Sequence, residues 1–188
     1  MPKIITFSRV FPAYHPRKGE DTHFIEAILT QIGIDYTSDK YFVWLVENNP
    51  KISAKFLDDF FLSLSHDIAP KSHTIRAHKR PLKVGDSINP HCWAGRPYNK
   101  TTEGFWQVKF APDIEIVKTW DVKVEKDNYR NENGSTTIVT KITINGCHKT
   151  ENYEPLAAND GLNLDDLCNW FVKPMVGQII CWNPNINY

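Results

Sequence analysis

The feature that narrows the fold most is a change of texture near residue 70. Ahead of it, a strand-like run, Ile4-Ile5-Thr6-Phe7, gives way to a tract whose apolar residues recur at helical spacing. Behind it, short β-branched and aromatic runs are punctuated by Gly85, Gly95, Gly104 and Asn133-Gly134. A helix face repeats every three or four positions and a strand face every second, so the switch predicts helices inserted after a first strand. From about Thr22, the residues Phe24, Ile25, Ile28, Leu29 and Ile32 share a face, and Gly33 supplies a stop. Ser38 as an N-cap turns the ambiguous run 38–48 toward helix, and Phe56, Leu57, Phe60, Phe61 and Leu64 mark another helix over about 53–65.

β segments are predicted near 73–77, 86–92, 104–111, 114–125 and 136–145, with Asn133-Gly134 signalling a hairpin. Helical signals return over 153–172, where Asn163 is a good N-cap and Asp165 and Asp166 suit the positive end of a helix. Gly177 to Trp182 reads as a closing apolar strand. There is no repeat, low-complexity tract or linker. The expectation is a single α+β domain over residues 1–188, a mixed sheet or small barrel with a mainly helical insertion over 10–67.

Composition limits the partners. With 22 basic and 22 acidic side chains the chain does not coat nucleic acid wholesale, so any such contact is local. Nothing at the N-terminus reads as a signal peptide, and no apolar stretch approaches the roughly twenty residues that span a bilayer. A cytoplasmic protein off the membrane is therefore expected, with Cys92, Cys147, Cys168 and Cys181 as reduced thiols. His91-Cys92 and Cys147-His148 contain zinc-type ligands, but neighbours on a strand point to opposite faces. No metal site and no cofactor are predicted.

The chemistry concentrates in Lys71-Ser72-His73-Thr74-Ile75-Arg76. That stretch opens a basic run in which Arg76, Lys79, Arg80 and Lys83 all fall before Asp86, with two imidazoles, His73 and His78, inside it. Such a cluster suits an anionic or polar ligand, or seats a lysine beside a hydroxyl as nucleophilic catalysis needs. A solvated basic strand edge is the plain alternative.

Several pieces together resemble the ASCH domain of the PUA-like β-barrel superfamily. Ile5-Thr6-Phe7-Ser8-Arg9 is similar to its first strand, Lys71 to Arg76 to its K-x-x-T-I-R signature, and Val84-Gly85-Asp86 to the G-D turn that follows. Trp93-Ala94-Gly95-Arg96, Leu156 to Leu162 and Ile179-Ile180-Cys181-Trp182 resemble later elements. The resemblance implies a barrel with a cleft for RNA or a modified nucleoside. One branch of that family is a small amidohydrolase that removes the acetyl group from N4-acetylcytidine with a lysine, a threonine and a glutamate. Carried over, these roles fall on Lys71, Thr74 and Asp160, an aspartate standing where that branch has glutamate.

Arg76, Arg96, Tyr98 and Arg9 are the candidate ligand-binding residues. Arg76 offers a two-pronged guanidinium, and Arg96 and Tyr98 a further cleft wall or an ordinary loop turn. The loop Tyr14-His15-Pro16-Arg17 is either a cover for the same cleft or a rigid proline loop. Two requirements follow for catalysis. Lys71 and Thr74, three apart, face one cleft only if the backbone departs from a regular strand near Ser72-His73. The lysine, with an ordinary pKa of about 10.4, acts as a base only if burial lowers it. Three functions stay open: a module binding RNA or a modified nucleoside, an amidohydrolase of an N-acylated nucleoside, and a protein-interaction domain whose insertion exposes an apolar patch.

Overall fold

The computed structural model describes residues 2–65, 67–77, 81–95, 107–130, 136–148 and 153–188. Strand β1 (Lys3–Phe7) is followed by helices α1 (Phe24–Gln31), α2 (Asp39–Asn48) and α3 (Ala54–Ser63). The β-rich part then runs through β2 (His73–Ala77), β3 (Ser87–Trp93), β4 (Gln107–Lys109), β5 (Ile114–Glu115), β6 (Lys118–Arg130), β7 (Thr136–Ile144) and β8 (Cys147–His148). Helices α4 (Glu154–Asn159) and α5 (Leu164–Trp170) precede the closing strand β9 (Met175–Cys181).

Local chemistry explains the helix starts. Ser38, Ser53 and Asn163 each accept a hydrogen bond from the backbone N–H three residues on, at Tyr41, Phe56 and Asp166. Each cap satisfies an otherwise orphaned donor and is worth about 1 kcal/mol. The predicted helical stretch 153–172 is two helices, because Gly161 turns left-handed at φ 73° directly after the C-cap Asp160.

The strands form two sheets. In one, β3 lies parallel to β1 and antiparallel to β4 and β5. In the other, the order is β2-β9-β6-β7-β8, antiparallel throughout. The predicted strand 114–125 is two strands because the chain changes sheets: Ile116 N donates to Asp86 O beside the first, and Val117 N to Cys181 O in the second. The β6–β7 ladder runs from Val122↔Ile144 to Arg130↔Thr136, the antiparallel pair expected around Asn133-Gly134.

The fold is thus mixed α+β, but the barrel expected from the resemblance is not closed. Among the described residues no ladder joins the sheets, since β1 pairs only with β3 and β2 only with β9. Across this seam the link is a side chain, Arg76 Nη2 donating to Thr6 O at 3.0 Å. The inserted helices share one continuous core with both sheets, in which Ile28, Leu45 and Phe60 join Phe7, Ile88, Phe110, Ile142 and Ile179. Tyr41 donates to Phe110 O, and Asn49 exchanges hydrogen bonds with the Lys109 backbone, which ties α2 to β4. Most aromatic residues of the insertion are packed inward, while Phe42 and Leu62 are exposed. No helix of the described residues is long and apolar enough to cross a membrane.

Candidate functional site

The seam between β1 and β2 opens into a cleft of about 490 Å³. Its walls come from β1 (Thr6), the start of α1 (Phe24), β2 (Thr74, Arg76), the end of α4 (Asp160), α5 (Trp170) and β9 (Gln178, Ile180). Lys71 reaches the same space from the segment that precedes β2.

That segment has the irregular backbone the chemistry requires. Lys71 N donates to Ala27 O and Ser72 N to Asn159 O, while Trp182 donates through Nε1 to Lys71 O and through its backbone N to Ser72 O. Lys71 and Ser72 are therefore bonded to α1, α4 and the residue after β9 rather than continuing the regular β2 ladder. The departure brings Lys71 and Thr74 to one cleft, and the predicted trio Lys71, Thr74 and Asp160 converges there.

Lys71 is 1% exposed and Asp160 5%. Lys71 Nζ donates to Asp160 Oδ1 at 2.5 Å and also to the Asp160 backbone carbonyl. The shorter acid reaches the lysine because Asp160 is the C-cap of α4, so its carboxylate and an end-of-helix carbonyl meet the same ammonium. Below the cation lies the ring of Phe24, its centroid 4.1 Å from Nζ. Burial lowers the lysine to about 8, against the opposing pull of Asp160 and with a smaller push from Arg76. Burial likewise raises the Asp160 carboxyl, although Lys71 and Arg76 favour its ionised form. Desolvation outweighs the attraction on both sides, which is the condition a catalytic lysine needs. Thr74 is buried to 4% exposure and lines the cleft.

His73 adds a further arm that the sequence placed in the cluster without a role. Asn159 Nδ2 donates to Tyr188 Oη at 3.0 Å, which leaves the phenol proton to be donated to His73 Nδ1 at 2.9 Å. This network assigns the imidazole proton to Nε2. Nε2 is buried without a hydrogen bond and lies 4.0 Å from Asp160 Oδ1. Burial, then the neighbouring Lys71, holds this imidazole well below its ordinary range, so it is neutral. Tyr188 carried no sequence signal: it is a lone aromatic more than a hundred residues from its partner.

The candidate ligand-binding residues divide. Arg76 lines the cleft, stacked over Phe7 with its guanidinium carbon 5.1 Å from the ring centroid. Arg9 does not: it bonds Ser63 and sits over the rings of Phe56 and Phe60, fastening α3 to the end of β1. Arg96 and Tyr98 lie outside the described residues. The loop Tyr14–Arg17 packs on α5 rather than over the cleft, with Tyr14 donating to Trp170 O and Arg17 bonded to Asp166. Gln178, Trp170 and Phe24 are wall residues that strand and helix patterns marked only as packing. His91 and Cys92 occupy alternate faces of β3, and no group of three or more metal-ligating side chains exists among the described residues.

Compared with known proteins, the chain matches no family model, and no curated protein or solved structure is significantly similar to it.

Proposed function

We propose that this is an ASCH-like, PUA-related cytoplasmic amidohydrolase acting on an N-acylated nucleoside. The observation that carries the proposal is a fully buried lysine, lowered to about 8 and bonded to Asp160, opening on the same nucleoside-sized cleft as Thr74. In its neutral form Lys71 takes the proton from Thr74 Oγ1 as that oxygen attacks the amide carbonyl. The resulting ammonium then protonates the departing nucleobase nitrogen, and the C–N bond breaks. Water, activated by the regenerated amine, cleaves the acyl-threonine ester and releases the acid. Asp160 positions the amine and stabilises its charged form between the two steps. The flat aromatic walls, Phe24 and Trp170, suit a planar base.

A second reading is a nucleoside- or RNA-binding module without turnover. It is favoured by the two acceptors on Asp160, carboxylate and carbonyl, which both hold Lys71 in its inert ammonium form.

Incubation with N4-acetylcytidine decides between them. Release of cytidine above a Thr74→Ala control, rising with pH toward a plateau above about 8, is the expected result. No product at any pH, with cytidine still bound, leaves the binding module.

A further inference from the structure

The cleft holds more cationic than anionic side chains, Lys71 and Arg76 against Asp160. Lys71 is in direct contact with the Asp160 carboxylate at 2.5 Å, whereas Arg76 feels that carboxylate only at longer range. Arg76 faces into the same cavity, yet its one described hydrogen bond is to a neutral acceptor, Thr6 O. Its Nε is closed off from solvent with no partner at all, and no carboxylate among the described residues is in ion-pair contact with its guanidinium. A guanidinium set into a protein wall without a counterion in contact costs free energy that a hydrogen bond to one carbonyl and a more distant carboxylate offset only in part. The planar fork of arginine matches oxyanions in two directions, so a ligand oxyanion can supply the contact that is missing.

We infer that the ligand of this cleft carries an oxyanion, phosphate or carboxylate, seated on Arg76. The inference rests on the nucleoside reading only for the identity of the rest of the ligand. Thr74 and Arg76 stand two apart on β2, opposite Ile180 and Gln178 of β9, so both side chains leave the same face of the strand. Their backbone separation is roughly 7 Å, set by the strand repeat. An oxyanion on Arg76 therefore holds the ligand at one end while the group that meets Thr74 lies about one strand repeat away. A nucleotide phosphate satisfies this on the sugar side of the base, and a carboxylate on the acyl arm satisfies it on the other.

Calorimetric titration of the whole protein tests this with inorganic phosphate and acetate, and with two matched pairs. One pair is cytidine and cytidine 5′-monophosphate; the other is N4-acetylcytidine and N4-succinylcytidine. The expected result is that one anionic member binds about tenfold or more tightly than its neutral counterpart, the scale of one charge-assisted hydrogen bond. The pair that shows the preference tells phosphate from carboxylate. The preference disappears in Arg76→Gln and largely survives in Arg76→Lys.

The inference is overturned if both pairs bind alike and neither free anion binds the wild type. It is also overturned if the preference survives Arg76→Gln, or if that variant lowers turnover of neutral and anionic substrates equally, which would make the arginine a stabiliser of the tetrahedral intermediate. The wild-type comparison decides even if Arg76→Gln does not fold. Anion preference without turnover of N4-acetylcytidine removes the enzyme reading and keeps this one; turnover without anion preference does the reverse.

Discussion

Two aspartates six positions apart, Asp160 and Asp166, are buried to nearly the same degree, at 5% and 4% exposure, and serve opposite ends. Asp166 sits in the first turn of α5, takes Arg17 Nη1 on Oδ2 at 2.6 Å, and has a cation partner whose side chain remains 40% exposed. Hydrogen bonds to Glu20 and Asp166 raise the Arg17 guanidinium further above its already high range, so it stays charged at any ordinary pH. Asp160 instead faces a lysine with 1% of its side chain exposed. The same acid forms a clamp when its cation keeps water and a titrating pair when it does not. What separates the two pairs is the solvation of the partner, not the burial of the aspartate.

The largest effect expected from this contrast is at Lys71. Lys71→Met leaves Asp160 buried without its cation and should cost about 3–5 kcal/mol in chemical denaturation. The double variant Lys71→Met with Asp160→Leu should recover most of that loss. A Lys71→Met protein as stable as wild type would mean that the pair does not carry buried charge.

The next effect is in alkaline stability. The folded lysine titrates near 8 and the unfolded one near 10.5, so between these values the unfolded chain binds more protons and folding stability rises with pH. The window is worth about 3 kcal/mol. Burial of Cys92, Tyr41 and Tyr188 raises those groups and works in the opposite direction above about pH 9. The measurement is therefore the difference between wild type and Lys71→Met across pH 7–11, which should shift in favour of the wild type by that amount. A flat difference breaks the contrast.

On the acid side, His73 is depressed on folding, so its contribution is present above about 6.5 and lost as pH falls below it. Part of the acid limb should vanish in His73→Gln, read from denaturation midpoints between pH 7 and 4. The smallest effect belongs to the clamp. Arg17→Ala should cost under about 1 kcal/mol and lose most of that cost in 1 M salt, because 40% of the arginine side chain stays in contact with solvent. A salt-insensitive loss larger than that of Lys71→Met would reverse the ranking of the two pairs.

Much of the architecture was legible in the sequence because it is local. Ser38 and Asn163 cap helices through contacts three residues long, whereas the break at Gly161 that divides the predicted stretch 153–172 was not read. The convergence of Lys71, Thr74 and Asp160 was readable only through the resemblance of the K-x-x-T-I-R run. Spacing alone set the first two on opposite faces, and what reconciles them is a set of backbone bonds from Ala27, Asn159 and Trp182. The surroundings of Arg9 were hidden for the same kind of reason: nothing near it in sequence announces Phe56, Phe60 and Ser63. Tyr188 and its link to His73 likewise exist only in three dimensions.

The anchoring of Lys71 and Ser72 has a consequence for how the protein is made. Their amides and carbonyls are held by residues drawn from the first helix, the fourth helix and the stretch after the last strand. A nascent or partly unravelled chain that lacks any of the three cannot set the lysine in place, so the cleft is completed only when all three are assembled. Hydrogen–deuterium exchange at these two amides should accordingly be a gauge of wholesale unfolding, and chains ending before Trp182 should be inert whatever helices they retain.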